Sequence, residues 1–138
     1  MGRILGIDYG KVRIGIAISD ANRVLATGLC CLKNDKSFFI SLKKALKPYE
    51  IEVIVVGLPL SLQGKSTQMT LEAREFSERL GQECGVPTLL WDERLTTAQV
   101  ERFLKEGGVK RKRRAAVSDL LAASLILQSY IDYRKMME

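Results

Sequence analysis

The chain has 138 residues, 46% of them hydrophobic and 28% charged, and a net charge of +6. That length makes one domain able to bury a core without metals or disulfides, and the basic balance points to a polyanionic partner. Histidine is absent, which excludes Ser-His-Asp and Cys-His catalysis, histidine acid–base chemistry and histidine-ligated zinc, so any catalysis must use carboxylates and hard metal ions.

No run reaches the length of a membrane span, and the N-terminus lacks a signal-peptide architecture. Cys30, Cys31 and Cys84 are an odd set without a C-x-x-C pair. Reduced thiols and a cytoplasmic location are expected.

Residues Ile4 to Asp20 read as a strand, a turn at Tyr9-Gly10-Lys11 and a second strand. Asp8 stands where the first apolar strand runs out, a position that strands disfavour for Asp. By two-residue alternation Ile4, Gly6 and Asp8 share a face, and the nearby glycines leave room for a close approach. Arg23 to Lys33 reads as a third strand after an Asp20-Ala21-Asn22 turn, with Cys30 and Cys31 on opposite faces. Asn34 or Asp35 caps a helix over about Ser37 to Lys47, whose apolar positions are Phe39, Ile40, Leu42 and Leu46. Lys43, Lys44 and Lys47 form its wet face.

Ile51 to Gly57 is a continuous apolar run, as in a strand covered on both faces. A polar loop from Leu60 to Lys65 lacks the spacing of a phosphate loop, and a helix over about Ser66 to Cys84 follows. Ser66 or Thr67 caps it and Gly85-Val86-Pro87 ends it. Thr88 to Trp91 is a fifth strand, leaving through Asp92-Glu93-Arg94. Thr96 and Gln99 make a capping box for a helix to about Glu106. Gly107-Gly108 breaks the chain before five consecutive cations, Lys110, Arg111, Lys112, Arg113 and Arg114. That run is either a solvated loop or a clamp on a phosphate backbone. A last helix from about Ala115 to Arg134 is apolar on most of its circumference, with Asp119 in its first turn.

Three strands followed by two more that are reached through helices give an α/β fold. Its expected form is a ribonuclease-H-like five-stranded mixed sheet of order 3-2-1-4-5 flanked by helices. Asp8, Asp119 and one of Asp92 or Glu93 can converge at the edge of such a sheet. Strand alternation does not decide between the last two.

Gly6-Ile7-Asp8-Tyr9-Gly10 with Arg13-Ile14-Gly15-Ile16-Ala17, Val56-Gly57-Leu58-Pro59-Leu60, Trp91 to Thr97, and Asp119-Leu120-Leu121-Ala122-Ala123 resemble the YqgF family of Holliday-junction-resolvase-like proteins. Members are regarded as nucleases that mature the 5′ end of pre-16S ribosomal RNA. The resemblance spans essentially the whole chain. It implies that Asp8, Glu93 and Asp119 are the catalytic and metal-holding carboxylates. One departure is Ser61-Leu62, where an Asn-Met-like pair is expected; it touches none of the acids.

Carboxylates sharing a cleft repel one another unless cations neutralise them, so a two-metal site for Mg²⁺ or Mn²⁺ is expected. Lys11, Arg13, Arg94 and the run Lys110 to Arg114 are the candidate nucleic-acid contacts, RNA being favoured over DNA. The expected function is thus a metal-dependent nuclease on structured nucleic acid. Its rivals are a non-catalytic nucleic-acid-binding or ribosome-assembly factor and a junction resolvase acting on DNA. An ATPase of the sugar-kinase and actin type also opens on an Asp-x-Gly hairpin, but this chain lacks a second lobe.

Overall fold

The structure, a computed structural model, describes residues 2–59, 66–92 and 111–138, with backbone alone for 111–119. Five strands, β1 (Arg3–Asp8), β2 (Arg13–Ser19), β3 (Ala26–Lys33), β4 (Ile51–Leu58) and β5 (Thr88–Asp92), form one sheet of order β3-β2-β1-β4-β5. β2 is antiparallel to β1 and β3, whereas β4 and β5 run parallel to β1. The expected order and directions are therefore met. The expected helix over residues 96–106 lies outside the described residues.

Three helices cover the sheet: α1 (Phe38–Leu46), α2 (Gln68–Cys84) and α3 (Arg111–Met136). Alternation along the strands splits the core in two. Leu5, Ile7, Ile14, Ile16, Ile54 and Val56 pack with Phe38 and Leu42 of α1 and Leu80 of α2. Ile4, Ala17, Val53 and Val55 pack on the other face with Ala123, Ile126, Leu127 and Ile131 of α3. β4 thus fills both layers, which is why its sequence is apolar without a break.

α3 crosses the sheet very closely at Gly6. A Cβ built there would lie 2.7 Å from Leu127 Cβ and 3.1 Å from the Ala123 carbonyl oxygen. Gly6 is therefore glycine because the helix needs the space. At the other side of α2, Gly85 takes a left-handed φ of 67° and donates to the Gly81 carbonyl at 2.8 Å, a C-terminal cap that fits a residue without Cβ. Thr67 caps the start of α2 reciprocally with Thr70.

Four local expectations need correction. α1 turns Phe38 and Leu42 into the core, and Ile40 is 62% exposed. Its N-cap is Ser37, whose own amide and hydroxyl donate to Asp35. α3 starts at Arg111 instead of Ala115, so Asp119 is two turns into the helix. A macrodipole acts within the first turn, so position 119 is too far along the helix to be its partner.

The fourth correction concerns β3, which begins at Ala26, not Arg23. Residues 20–25 form a turn in which the Asp20 carboxylate accepts from the Val24 and Leu25 amides at 2.7 and 3.1 Å. Arg23 adopts a φ of 58° there and pairs with Glu52. Those amides, Val24 first, hold the Asp20 carboxyl below its ordinary value. A depressed folded-state pKa stabilises above the unfolded value near 4 and stops doing so as pH falls through the folded one. Asn at position 20 keeps an acceptor but has no proton to gain. Wild type should therefore lose more stability than Asp20→Asn between pH 6 and pH 2.5. Equal losses in denaturant midpoint would assign the turn no electrostatic role.

Candidate active site

Asp8 is the last residue of the central strand and is half-buried. Its antiparallel neighbour across β2 is Gly15. On the other side Ile7 pairs with Val56, so the next residue, Gly57, flanks Asp8 on β4. Ile4 and Ala17 show that Asp8 and Gly15 occupy the face covered by α3, and Val53 and Val55 show the same for Gly57. The adjacent positions on both neighbouring strands are thus glycines, which contribute no side chain of their own beside Asp8.

α3 runs antiparallel to β1, with Ala123 and Leu127 over Gly6. Position 119 is one helical turn before Ala123 in the same row. The backbone therefore brings position 119 to the Asp8 end of β1. On β5, Trp91 faces α3, where its indole N–H donates to the Ser129 hydroxyl at 3.2 Å. Asp92, paired with Leu58, is one step out of phase and belongs to the opposite face. Glu93 and Arg94 follow it and lie outside the described residues, as does Lys110. Among the described residues no three potential metal ligands of the His, Cys, Asp and Glu type come together.

Of the expected cations, Lys11 is exposed at the β1–β2 turn, and Arg13 opens β2 on the same face as Gly15. Arg111, Lys112, Arg113 and Arg114 form the first turn of α3 by their backbone, so the run is helical. One cation is not legible from sequence alone. Lys33 is the cross-strand partner of Arg13, which places both on the Asp8 face. The pair concentrates positive charge on the face that carries Asp8.

A family model described as "RuvX: Holliday junction resolvase" matches residues 2–133. The chain belongs to that family. A relative from Protochlamydia amoebophila, named "Putative pre-16S rRNA nuclease", is 43% identical over 96% of this chain and 94% of its own length. One from Caldanaerobacter subterraneus subsp. tengcongensis, with the same name, is 42% identical over 96% and 98%. Among solved structures, T. thermophilus RuvC in complex with a Holliday junction substrate superposes with a TM-score of 0.54. It has 16% identity and covers 98% of this chain and 96% of that one. A Fowlpox virus resolvase complexed with Holliday junction DNA gives a TM-score of 0.58 at 12% identity, covering 96% and 98%. These likenesses establish the ribonuclease-H-like fold.

Two thiols of this RuvX-family chain, Cys30 and Cys84, stand apart from Asp8, whereas Cys31 is paired with Gly15 on the Asp8 face. None of the three is in a disulfide. Burial pushes the Cys30 and Cys84 thiols above their ordinary values, and they pack against the α1–α2 core. A raised thiol pKa suits packing and disfavours nucleophilic chemistry. No helix among the described residues is long and apolar enough to cross a membrane.

Proposed function

We propose that this chain is a metal-dependent nuclease that hydrolyses phosphodiester bonds of structured nucleic acid, with the 5′ end of pre-16S ribosomal RNA as its substrate. The observation that carries this reading is Asp8 at the end of the central strand, between Gly15 and Gly57, in a chain of the RuvX family. The relatives' printed names favour RNA over DNA.

Asp8, Glu93 and Asp119 are the proposed catalytic acids. Asp92 belongs to the sheet face opposite α3, which supports Glu93 over Asp92. Hard carboxylate oxygens at a glycine-flanked position suit Mg²⁺ or Mn²⁺, which Asp8, Glu93 and Asp119 would hold. Bound there, divalent ions supply Lewis acidity and lower the pKa of water without a histidine. The protein's own share is positional. β1 fixes Asp8, the row 119–123–127 sets position 119 along the strand, and Lys11, Arg13 and Arg94 orient flanking phosphates. We place the protein in the cytoplasm, where thiols stay reduced.

The test is incubation of the full chain with a structured RNA that spans a 5′ maturation site, with Mg²⁺ or Mn²⁺ and with chelator. Cleavage that requires the ion supports the reading. Binding of the RNA without any cleavage would make the chain an assembly factor, and ion-dependent cleavage of a DNA four-way junction alone would make it a resolvase.

The basic run gives a separate prediction. α3 has no acid in its first turn, so four cations there work against the helix macrodipole. Phosphates drawn to the run would offset that cost. Replacing Lys110 to Arg114 by Ser should weaken RNA binding and reduce the slope of log affinity against log salt. The reduction should be roughly one unit for each phosphate that the run neutralises. An unchanged slope would leave the run as a solvated helix start.

A further inference from the structure

At the Asp8 end of the sheet, on the opposite face, α1 and α2 enclose a pocket of about 330 Å³ whose lining includes Lys36, Phe39, Phe76 and Arg79. Phe38 beneath it is buried and needs no ligand to explain it. Phe39 and Phe76 pack against the same core but are only half-buried, with ring planes 21° apart and centroids 6.0 Å apart. The Arg79 guanidinium lies over the Phe39 ring, 4.8 Å from its centroid. Lys36 is exposed at the rim. Asp35 also lines the pocket, but its carboxylate accepts from the Ser37 amide and hydroxyl at 2.9 and 2.6 Å.

We propose that this pocket receives one unpaired nucleotide of the RNA substrate, the base stacking among Phe39, Phe76 and Arg79 and the phosphate meeting Lys36. Planar rings beside cations bind single-stranded nucleic acid because every base has a π-face and every linkage a charge. A paired base keeps its faces inside the helix and cannot enter. The pocket also connects to the Asp8 end of β1. Tyr9, next to Asp8 in the chain, packs tilted against Phe76 with ring centroids 4.9 Å apart, and Asn34 at the pocket's edge donates to the Gly10 carbonyl at 2.9 Å. A strand passing over the end of the sheet would meet the pocket on one face and Asp8 on the other. The inference rests on the nuclease reading and narrows its substrate to RNA with an unpaired nucleotide beside the cleaved bond.

The test compares a blunt RNA stem with the same stem carrying a single-stranded flank that holds a fluorescent adenine analogue. Binding is measured on the full chain with chelator present, so cleavage plays no part. Wild type should prefer the flanked RNA and change the analogue's fluorescence. Phe39→Leu and Arg79→Gln should each weaken binding of the flanked RNA on the order of tenfold and leave the blunt stem unaffected. Phe39→Trp, which keeps a stacking face, should restore the preference. Arg79 is exposed, so its variant serves even if Phe39→Leu unfolds. Equal affinity of wild type for both RNAs, or equal losses on both, would overturn the pocket while leaving cleavage at the acids intact. Cleavage that survives loss of the acids would overturn the nuclease reading and leave this binding result standing.

Discussion

Asp8→Asn should lower ion-dependent cleavage by about a hundredfold or more, with RNA binding retained and the protein still folded. Asn preserves the shape of Asp and its position between Gly15 and Gly57. What it removes is the negative charge, the property that draws a hard cation and is worth several kcal/mol in such sites. Binding should persist because Lys11, Arg13 and the basic run are untouched. Titration with Mn²⁺ gives a readout that does not depend on turnover: the heat of ion binding should shrink with the charge. Glu93→Gln and Asp119→Asn should behave like Asp8→Asn. Asp92→Asn should be milder, because Asp92 belongs to the opposite sheet face. Early melting of the Asp8 and Asp119 variants, with cleavage per folded molecule equal to wild type, would make the acids structural. A nucleic-acid-binding factor would then replace the nuclease.

Asp8 was legible in the sequence because an acid at the exit of an apolar strand breaks a strong local rule, and the motifs around it repeat a family pattern. The sheet order was legible for a different reason: three strands in succession and two more reached through helices fix neighbours and directions, and the buried strands β1 and β4 both read as apolar runs. Helix faces and starts were harder. In α1 several neighbouring positions are apolar, and only the sheet beneath decides that Phe38 turns inward and Ile40 outward. The start of α3 was misplaced because Gly107-Gly108 and five cations look like a loop. Lys and Arg are nevertheless good helix formers, and the backbone is helical from Arg111. The shift carried Asp119 out of the first turn.

The pairing of Lys33 with Arg13 was out of reach for a different reason. It depends on register, and β2 and β3 slip at an irregularity between Ile16 and Ala17. Counting back from a turn across such a slip puts side chains on the wrong face. The turn itself was also misjudged, since Asp20 uses its carboxylate to hold Val24 and Leu25 out of the strand. The pocket of Phe39, Phe76 and Arg79 joins two helices about forty residues apart in the chain. No spacing rule links residues that meet only through packing on a shared sheet.

Gly6→Ala should damage both folding and cleavage, because it places a methyl group between the central strand and α3. The added Cβ would approach Leu127 Cβ to 2.7 Å and the Ala123 carbonyl oxygen to 3.1 Å. Neither is the far end of a flexible side chain. Truncating Leu127 to Ala gives no relief, because the atom in the way is its Cβ. The strand and α3 must separate, and overpacking of this kind costs about 1–3 kcal/mol, a fall of several degrees in Tm. The effect on cleavage should exceed the loss of folded protein, since α3 also sets where position 119 stands relative to Asp8. Gly85→Ala is the control. It strains a left-handed residue with open space around it, far from α3 in the fold. Its cost should appear in Tm alone, with cleavage per folded molecule unchanged. Gly6→Ala with wild-type Tm would show that α3 can move away from β1 at no cost. Gly6→Ala with normal cleavage per folded molecule would show that the spacing between α3 and β1 does not set the site.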